Sequence, residues 1–206
     1  MIDDRKNRRP TVIVIDDDQS VRDALKGLFE SVGLSAETHG SVKEFIEADD
    51  PEKAGCIVLD IRLPGQSGLE FQEALAKSAL PRSVVLISAH VDVPMAVRAM
   101  KAGAIDVLTK PVREQDLLEA VNRAIANDAS RRGDSAAKAA IQARYATLTE
   151  RERQIMKLVV AGKLNKQIAG ELQLAEPTVK LHRGHMMSKM AATSVAHLVK
   201  MADGLL

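Results

Sequence analysis

Residues Cys56 to Phe71 read CIVLDIRLPGQSGLEF, and the predicted fold follows from this segment. It begins with an apolar, β-branched run, reaches the carboxylate of Asp60 and then breaks at Pro64-Gly65 and Ser67-Gly68. A short run of this kind is typical of a buried parallel strand. An acid at the carboxyl end of such a strand lies where open α/β sheets place their ligands. Taken alone, Asp60 is explained equally well as the cap of a turn.

A second strand end is also acidic. The strand TVIVI, Thr11 to Ile15, runs directly into Asp16-Asp17-Asp18. Adjacent carboxylates repel one another unless a cation or solvent compensates them. The helix that opens at Gln19 needs a cap, which explains one or two of these acids but not three. Together with Asp60 they predict an oxygen-only ligand set that suits Mg²⁺.

Two later strands end in groups that complement these acids. The run Ile105 to Leu108 leads into Thr109-Lys110-Pro111, and the run Val84 to Ile87 leads into Ser88-Ala89. Because the carboxyl ends of parallel strands share one edge of a sheet, we expect an ammonium and a hydroxyl beside the acids.

In this order, the residues resemble a known family. Asp16-Asp17, Asp60 followed by LPGQSG, Ser88-Ala89 and Lys110-Pro111 match the pattern of bacterial response-regulator receiver domains. The segment VDVPMAVRAMKAGAIDVLTKP is similar to the FixJ-type subgroup in particular. The resemblance covers roughly the first 125 residues, and the ordered set of motifs is specific.

The resemblance implies that Asp60 accepts a phosphoryl group from a sensor histidine kinase. It implies that Ser88 and Lys110 bind the phosphoryl oxygens. The Mg²⁺ ligands that it implies are Asp16, Asp17, Asp60 and the backbone carbonyl of Arg62.

One position departs from the family pattern. Three residues before the lysine, receiver domains usually carry an aromatic side chain, whose ring turns inward when the neighbouring hydroxyl, here on Ser88, engages the phosphoryl group. This chain has Val107 there. A β-branched side chain has one strongly favoured rotamer, so it is poorly suited to switching between two positions. We therefore expect the helix between Pro94 and Lys101 to carry the switch by backbone displacement, with a modest preference for the dimer.

Composition is that of an ordinary globular protein. The 206 residues are 28% charged and 46% hydrophobic, and no apolar run approaches the roughly 18 residues of a membrane span. The start, MIDDRKNRRP, lacks the apolar centre of a signal peptide, so we expect a cytoplasmic protein without a membrane partner. The single cysteine, Cys56, excludes an internal disulfide and is interpreted as a small buried hydrophobe.

Strand and helix patterns alternate up to residue 127 and then stop alternating. The alternation predicts a flavodoxin-like α/β fold, with a doubly wound sheet of five parallel strands. We assign residues 10–127 to this receiver domain. Residues 128–147, rich in alanine and charge, are interpreted as a linker that is helical in part. Residues 148–206 are expected to form a second, all-α domain of four helices.

The second domain carries a helix-turn-helix pattern. Thr149 and Glu152 predict a capping box at the start of a helix over 150–161. A second helix is expected over 165–172, a third from Glu176-Pro177 to about Met190, and a fourth over 194–202. Two short helices joined by a tight turn place the second one as the reader of DNA.

The predicted reading helix has two different sides. Val179, Met186 and Met190 have core spacing, and a second group is small or cationic, namely Lys180, Leu181, Gly184 and Ser188. A solvated surface helix would show the same pattern. Basic residues outnumber acids after Leu148 although the whole chain has a net charge of +1, which suggests an anionic partner. Only 2% of the residues are aromatic, so few side chains could stack on bases. Duplex DNA is therefore favoured over RNA or single strands.

The sequence from Leu148 closely resembles the LuxR-type DNA-binding domain. The similarity is carried by LTERE at 148–152, Asn165-Lys166, Ile168-Ala169, Thr178-Val179-Lys180 and His182. By this resemblance, the residues that face base edges are Lys180, Leu181 and Gly184. Those that contact or approach phosphates are Lys166, Thr178, His182 and Lys189. Related readers often carry a longer side chain at position 184. His182 and His185 have the spacing of a metal pair, but no further ligand stands near them in sequence.

The sequence thus predicts a response regulator of the FixJ/NarL type, a transcription factor and not an enzyme. Phosphorylation at Asp60 would promote a homodimer on double-stranded promoter DNA, with RNA polymerase as a further partner. One alternative is a DNA-binding regulator that does not depend on phosphorylation. Another is a phosphohydrolase of the haloacid-dehalogenase type, since Asp16 and Asp18 have its D-x-D spacing. Three features argue against that alternative: the small, cap-free domain, the LPG-x-SG motif and the attached helix-turn-helix.

Overall fold

The computed structural model describes residues 10–48, 50, 53–78, 82–203 and 205. The start of the chain, from which a cytoplasmic protein was expected, lies outside these residues except for Pro10. The elements are β1 (Thr11–Ile15), α1 (Gln19–Ser31), β2 (Ser35–His39), α2 (Val42–Ala48), β3 (Gly55–Asp60), α3 (Gly68–Ala76), β4 (Ser83–Ser88), α4 (Val93–Lys101), β5 (Asp106–Thr109), α5 (Glu114–Ala146), α6 (Glu150–Val160), α7 (Asn165–Leu172), α8 (Glu176–Met190) and α9 (Val195–Ala202).

The five strands form one parallel sheet in the order β2-β1-β3-β4-β5. This confirms the predicted flavodoxin-like fold class, because the order reverses between β1 and β3. Register aligns the strand ends: Ile15 pairs with Leu59, Asp60 with Ile87, and Ser88 with Thr109. The residues that follow β1, β3, β4 and β5 therefore meet at one edge.

The sheet is buried on both faces, as its apolar strands predict. On one face Ile13, Ile57 and Leu59 belong to a core that includes Phe45 and Phe71. The alternate residues face a second core, which α1 and α5 complete; it contains Val12, Val14, Cys56, Val58, Phe29, Leu117 and Val121. Cys56 is fully buried there, as interpreted from the sequence, and burial, with a contribution from Asp128, raises its pKa to about 12.

The long helix α5 does not end at residue 127, where the receiver domain was predicted to end. It continues to Ala146, through the whole alanine-rich segment except Thr147. That segment contains no proline, and its single glycine, Gly133, costs a helix only about 1 kcal/mol. One compact unit of the chain ends at Arg132 and the next begins at Gly133, inside the segment interpreted as a linker.

Asp128 explains why the first unit extends beyond residue 127. Its carboxylate is buried and accepts a hydrogen bond from the backbone N–H of Gly55, at 3.0 Å, where β3 begins. Arg131 and Arg132 pair with the same carboxylate. This anchor was not predicted, because an aspartate in a polar segment has no local signal of burial.

The second unit packs four short helices around its own core. Ile155, Val159, Val179, Met186 and Met190 are buried in it. Ile141 and Tyr145, from the end of α5, pack against this core. The predicted capping box at the start of α6 is confirmed: Thr149 Oγ1 accepts from the Glu152 N–H, and the Glu152 carboxylate accepts from the Thr149 N–H.

Candidate functional site

Three carboxylates converge where β1 and β3 end. One oxygen each of Asp16, Asp17 and Asp60 lies within 4.8 Å of the others. Asp16 and Asp60 are buried and Asp17 is exposed, so the cluster opens to solvent on one side. An acidic group of this size fits a divalent cation bound through carboxylate oxygens and water.

Lys110 joins this cluster from β5. Its Nζ lies 2.6 Å from Asp16 Oδ2 and 2.6 Å from Asp60 Oδ2. The backbone N–H of Lys110 donates to the carbonyl of Ser88, at 2.8 Å, which fixes the start of its side chain beside β4. Three carboxylates and one ammonium leave a formal charge of −2, which favours a further cation.

Both carboxylate oxygens of Asp60 have a donor. Oδ1 accepts from the backbone N–H of Arg62, at 2.9 Å, and Oδ2 accepts from Lys110. The backbone of Asp60 is also in close contact with its surroundings. Gly68 lies so near that a Cβ on it would come 2.0 Å from the Asp60 carbonyl oxygen. The break at Ser67-Gly68 in the sequence therefore allows α3 to start directly against the end of β3.

Burial and pairing act in opposite directions on the buried groups. Burial raises the pKa of Asp16 above its usual value, although its hydrogen bond to Lys110 opposes this rise. For Lys110, burial alone would lower the pKa. The hydrogen bonds and negative charges of Asp16 and Asp60 together outweigh burial, so the pKa of Lys110 is raised and the side chain stays charged.

Ser88 and Val107 lie at the same end of the sheet but make different kinds of contact. Ser88 is fully buried, and its hydroxyl donates to the carbonyl of His90 rather than to the carboxylates. Val107 pairs with Leu86 and packs, half-buried, against the sheet core. Arg22 was not among the predicted site residues; it lies on α1 and donates to the backbone carbonyl of Asp16.

Helix α4 is held at its C-terminal end by two consecutive residues of α3. Gln72 is buried and its amide donates to the carbonyl of Ala99, at 3.1 Å. Glu73 forms a two-pronged ion pair with Arg98, at 2.6 and 3.0 Å. In contrast, Val93 at the other end of α4 exposes 77% of its surface.

The helix-turn-helix is formed by α7 and α8. Lys180, Leu181 and Gly184 are exposed on the side of α8 opposite the buried Val179 and Met186. Thr178 and His182 are half-buried, and Lys166 is exposed in the first turn of α7.

Lys189 stands apart from the other predicted phosphate contacts. Its Nζ lies 2.7 Å from Glu152 Oε2 and 3.4 Å from the Thr147 carbonyl. A phosphate would have to compete with this internal ion pair. Arg183 was not among the predicted site residues. It donates to Asn165 Oδ1 at 2.7 Å and so ties α8 to the start of α7.

Among the described residues, the three aspartates are the only group of three or more acids, histidines or cysteines close enough to share a metal ion. His182 and His185 are therefore not part of such a group. Within the same part of the chain, no helix is long and apolar enough to cross a membrane.

Comparison with known families finds a matching family for each half of the chain. Residues 12–122 match the response regulator receiver domain, and residues 146–202 match the bacterial regulatory proteins of the luxR family. The first match is to receiver domains, which removes the ground for the phosphohydrolase alternative.

Several relatives are similar along almost the whole chain. Nodulation protein W of Bradyrhizobium diazoefficiens is 47% identical over 194 residues, which are 94% of this chain and 86% of that protein. The transcriptional regulatory protein FixJ of Rhizobium meliloti is 39% identical over 93% of this chain and 94% of its own length. The structure of the response regulator StyR is 45% identical, with a TM-score of 0.85 over 95% of this chain and 99% of that chain.

Full-length FixJ from B. japonicum is a more distant structural match. It is 35% identical, with a TM-score of 0.56 over 96% of this chain and 98% of that chain. Both domains therefore occur in these relatives in the same order, and the chain belongs to the response regulators of the FixJ type, transcription regulators in which a receiver domain precedes a LuxR-type helix-turn-helix domain.

Proposed function

We propose that Asp60 is the phosphoacceptor of this response regulator and that a sensor histidine kinase is the donor. The observation that carries the proposal is the position of Lys110, whose ammonium lies 2.6 Å from both Asp60 and Asp16. In the transfer, an Asp60 oxygen attacks the phosphorus of a phosphohistidine. The bond from phosphorus to the imidazole nitrogen breaks, and its electron pair stays on the nitrogen.

The residues around Asp60 suit this step. Phosphorylation adds about −1.5 to −2 charge units to an already acidic site. Lys110 keeps its positive charge because its pKa is raised, and it can follow the phosphoryl oxygens when they displace its bond to the carboxylate. Ser88 can offer its proton to another phosphoryl oxygen once its bond to His90 breaks.

Mg²⁺ is the cation that this cluster fits best. Asp16, Asp17 and Asp60 supply hard oxygen ligands, and the carbonyl of Arg62 is proposed as a further one. The ion would offset the charge on the phosphoryl oxygens. Without it, the carboxylates of Asp16 and Asp17 would repel the incoming phosphoryl group.

The output that we propose is a homodimer that binds promoter DNA. Val93, Val97 and Met100 expose apolar surface along α4 and form a face that a second copy could cover. In the second unit, Lys180, Leu181 and Gly184 are proposed to face base edges. Lys166, Thr178 and His182 are proposed to approach phosphates. RNA polymerase is proposed as the further partner at the promoter, which implies action in the cytoplasm.

Intact-mass measurement after incubation with acetyl phosphate tests the phosphoacceptor. We expect one phosphoryl adduct with Mg²⁺, little with EDTA and none in Asp60→Asn. Asp18→Asn is the matched control, because Asp18 lies outside the acidic cluster and asparagine also caps α1. An adduct that persists in Asp60→Asn would show that another residue is the acceptor.

A further inference from the structure

A cavity of about 200 Å³ lies beside the start of β4, at the opposite end of the sheet from Asp60. It is smaller than the roughly 300–1,000 Å³ of pockets that hold drug-sized molecules, so it suits a smaller ligand. Two arginines line it, Arg82 and Arg131, and none of the described residues around it is an acid. A cavity lined by one sign of charge attracts ions of the opposite sign, so the expected occupant is an anion.

The Arg131 side chain has hydrogen-bond donors to spare. A guanidinium carries five N–H donors in a fixed planar fork. Within the described part of the chain, the side chain of Arg131 makes one hydrogen bond, from Nη2 to Asp128, whose carboxylate also pairs with Arg132. The side chain is half-buried, with 32% of its surface exposed. Its Nε and Nη1 donors are therefore open to a carboxylate.

The side-chain amide of Asn127 adds two further donors. Ser83 Oγ, at the start of β4, donates to Asn127 Oδ1 at 3.1 Å. This bond occupies the oxygen of the amide and leaves both N–H groups of Nδ2 for a ligand. Asn127 and Arg131 lie four residues apart in α5, so their side chains are neighbours on one side of the helix. Together they can donate to the two oxygens of one carboxylate.

Much of the remaining lining of the cavity is aliphatic. Val84 belongs to β4, Ala76 ends α3, and Ala102 follows the last residue of α4. A bare inorganic anion would leave these side chains without a contact, whereas a short hydrocarbon chain would bury apolar surface against them. Gln72, which holds α4 through the carbonyl of Ala99, also lines the cavity.

We propose that this cavity binds a small aliphatic monocarboxylate, whose two oxygens accept hydrogen bonds from Arg131 and Asn127. Its chain lies against Val84 and Ala102, and Arg82 adds a second positive charge. The cavity shares no residue with the acidic cluster at the other end of the sheet, so the inference does not rest on the proposed function. It assigns the receiver domain a second ligand site, beside the bond that holds α4.

Nuclear magnetic resonance titration of the full-length chain, labelled with a heavy nitrogen isotope, tests the site. The probe is sodium butyrate, and the matched control is butyramide, which has the same chain but no charge. Sodium chloride at equal concentration accounts for ionic strength. We expect saturable shifts of the Asn127 side-chain amide and of the Ala102 and Gly103 backbone signals. The dissociation constant should be on the order of 1 mM, as for other ligands of few atoms.

Three variants assign the shifts to the cavity. Arg131→Gln should weaken butyrate binding about tenfold or more, because it removes a charge-assisted pair of hydrogen bonds. Arg132→Gln is the matched control: it also removes one partner of Asp128, but Arg132 does not line the cavity, so the affinity should stay nearly unchanged. Ala102→Leu should block binding by filling the space without changing the charge. Thermal unfolding checks that each variant is folded.

Each contrary result would overturn the inference. If butyrate shifts none of these signals beyond the effect of sodium chloride, the cavity holds water only. If butyramide binds as tightly as butyrate, or if Arg131→Gln binds as tightly as the native chain, the arginine does not recognise the carboxylate. If inorganic phosphate binds more tightly than butyrate, the aliphatic chain is not what the site selects. None of these results bears on the phosphoryl adduct at Asp60, so the two proposals fail separately.

Discussion

The hydroxyl of Ser88 donates a hydrogen bond to the carbonyl oxygen of His90, at 3.0 Å, and accepts one from the His90 N–H, at 3.4 Å. This pair of bonds closes the turn between β4 and α4. A serine hydroxyl has one proton, so it cannot donate to His90 and to a phosphoryl oxygen at the same time. Phosphorylation of Asp60 should therefore release the His90 carbonyl and loosen the turn that leads into α4.

Ser88→Ala should separate phosphorylation from its output. The variant keeps Asp60 and Lys110, so we expect it to form the phosphoryl adduct with acetyl phosphate. It lacks the group that would exchange His90 for the phosphoryl oxygen, so its dimerisation should not respond to phosphorylation. Intact mass gives the adduct, and analytical ultracentrifugation gives the dimer fraction. Ser88→Thr, which keeps a hydroxyl, is the control that should respond as the native chain does; a responsive Ser88→Ala would contradict the exchange.

Gly68→Ala should damage the phosphorylation site through the backbone. The new Cβ would lie 2.0 Å from the carbonyl oxygen of Asp60, so either β3 or the start of α3 must move. Overpacking of this kind typically costs about 1–3 kcal/mol. We expect a lower urea midpoint and slower adduct formation. Gly27→Ala adds the same group where no atom lies within 4 Å and should be neutral or stabilising by up to about 1 kcal/mol. Equal midpoints for the two variants would show that the end of β3 yields easily.

Lys166 and Lys180 should affect DNA binding in different ways. Lys166 lies at the start of α7 and is proposed to meet phosphate. Lys166→Ala should weaken binding to all sequences alike and reduce the salt slope by about 1. Lys180→Ala should instead lose about 1–3 kcal/mol of discrimination at one base pair. Fluorescence anisotropy on specific and random duplexes over a range of salt concentrations measures both effects. A loss of equal size on both duplexes for Lys180→Ala would rule out a base-reading role.

The buried carboxylate of Glu152 should make the second unit sensitive to acid. Burial alone would raise its pKa, but the ion pair with Lys189 and the bonds from Thr149 outweigh burial and lower the pKa. A depressed pKa stabilises the fold above the ordinary glutamate value of about 4.3. That contribution should be lost as the pH falls through the lower, folded value.

Thermal unfolding between pH 3 and pH 7 tests this contribution of Glu152. At neutral pH, Glu152→Gln should unfold at a lower temperature, with a loss of about 0.5–2 kcal/mol, the usual range for a damaged helix cap. The gap between native chain and variant should close as the pH falls below about 4. Glu150→Gln is the control, since Glu150 is exposed in the same helical turn. A gap that stays constant with pH would exclude titration of Glu152 as the cause.

The sheet and the acidic edge could be predicted because their signals are local. Apolar runs that end in Asp16, Asp60 and Lys110 mark three strands by themselves, and a parallel sheet brings their ends together whatever the details of packing. The capping box at Thr149 is equally local, since its donors and acceptors lie within three residues.

Other features depended on partners that are distant in sequence. From the sequence alone, Asp128 is indistinguishable from a linker residue. Its partner, the N–H of Gly55 at the start of β3, is known only from the structure. From the sequence alone, Lys189 would be expected to be a free cation. In the structure it pairs with Glu152, which lies in another helix. Because α-helical packing brings acids and bases of different helices together, the pairing of Lys189 could have been predicted. The burial of Asp128 had no comparable signal.

Val107 bears on how strongly phosphorylation and dimerisation are coupled. Its side chain packs half-buried against the sheet core and, being β-branched, has one strongly favoured rotamer. It therefore offers no second position for phosphorylation to select. The ion pair of Glu73 with Arg98 and the bond from Gln72 to Ala99 hold the C-terminal end of α4. Any displacement should thus be concentrated in the first turns of α4, next to the turn that Ser88 closes.

We expect phosphorylation to shift the dimer equilibrium of the native chain only modestly, at the low end of the roughly 5–150-fold range of allosteric coupling. Val107→Tyr should increase the shift, because a ring at this half-buried position can lie either outside or against Ser88, and phosphorylation can bias that choice. Val107→Ile is the control: it adds volume without a second position and should behave as the native chain. Analytical ultracentrifugation of the full-length chain, with and without acetyl phosphate, gives the three equilibria. If the native chain already shifts strongly and the tyrosine leaves that shift unchanged or smaller, then position 107 does not limit the coupling, and displacement of α4 alone is sufficient to transmit the signal.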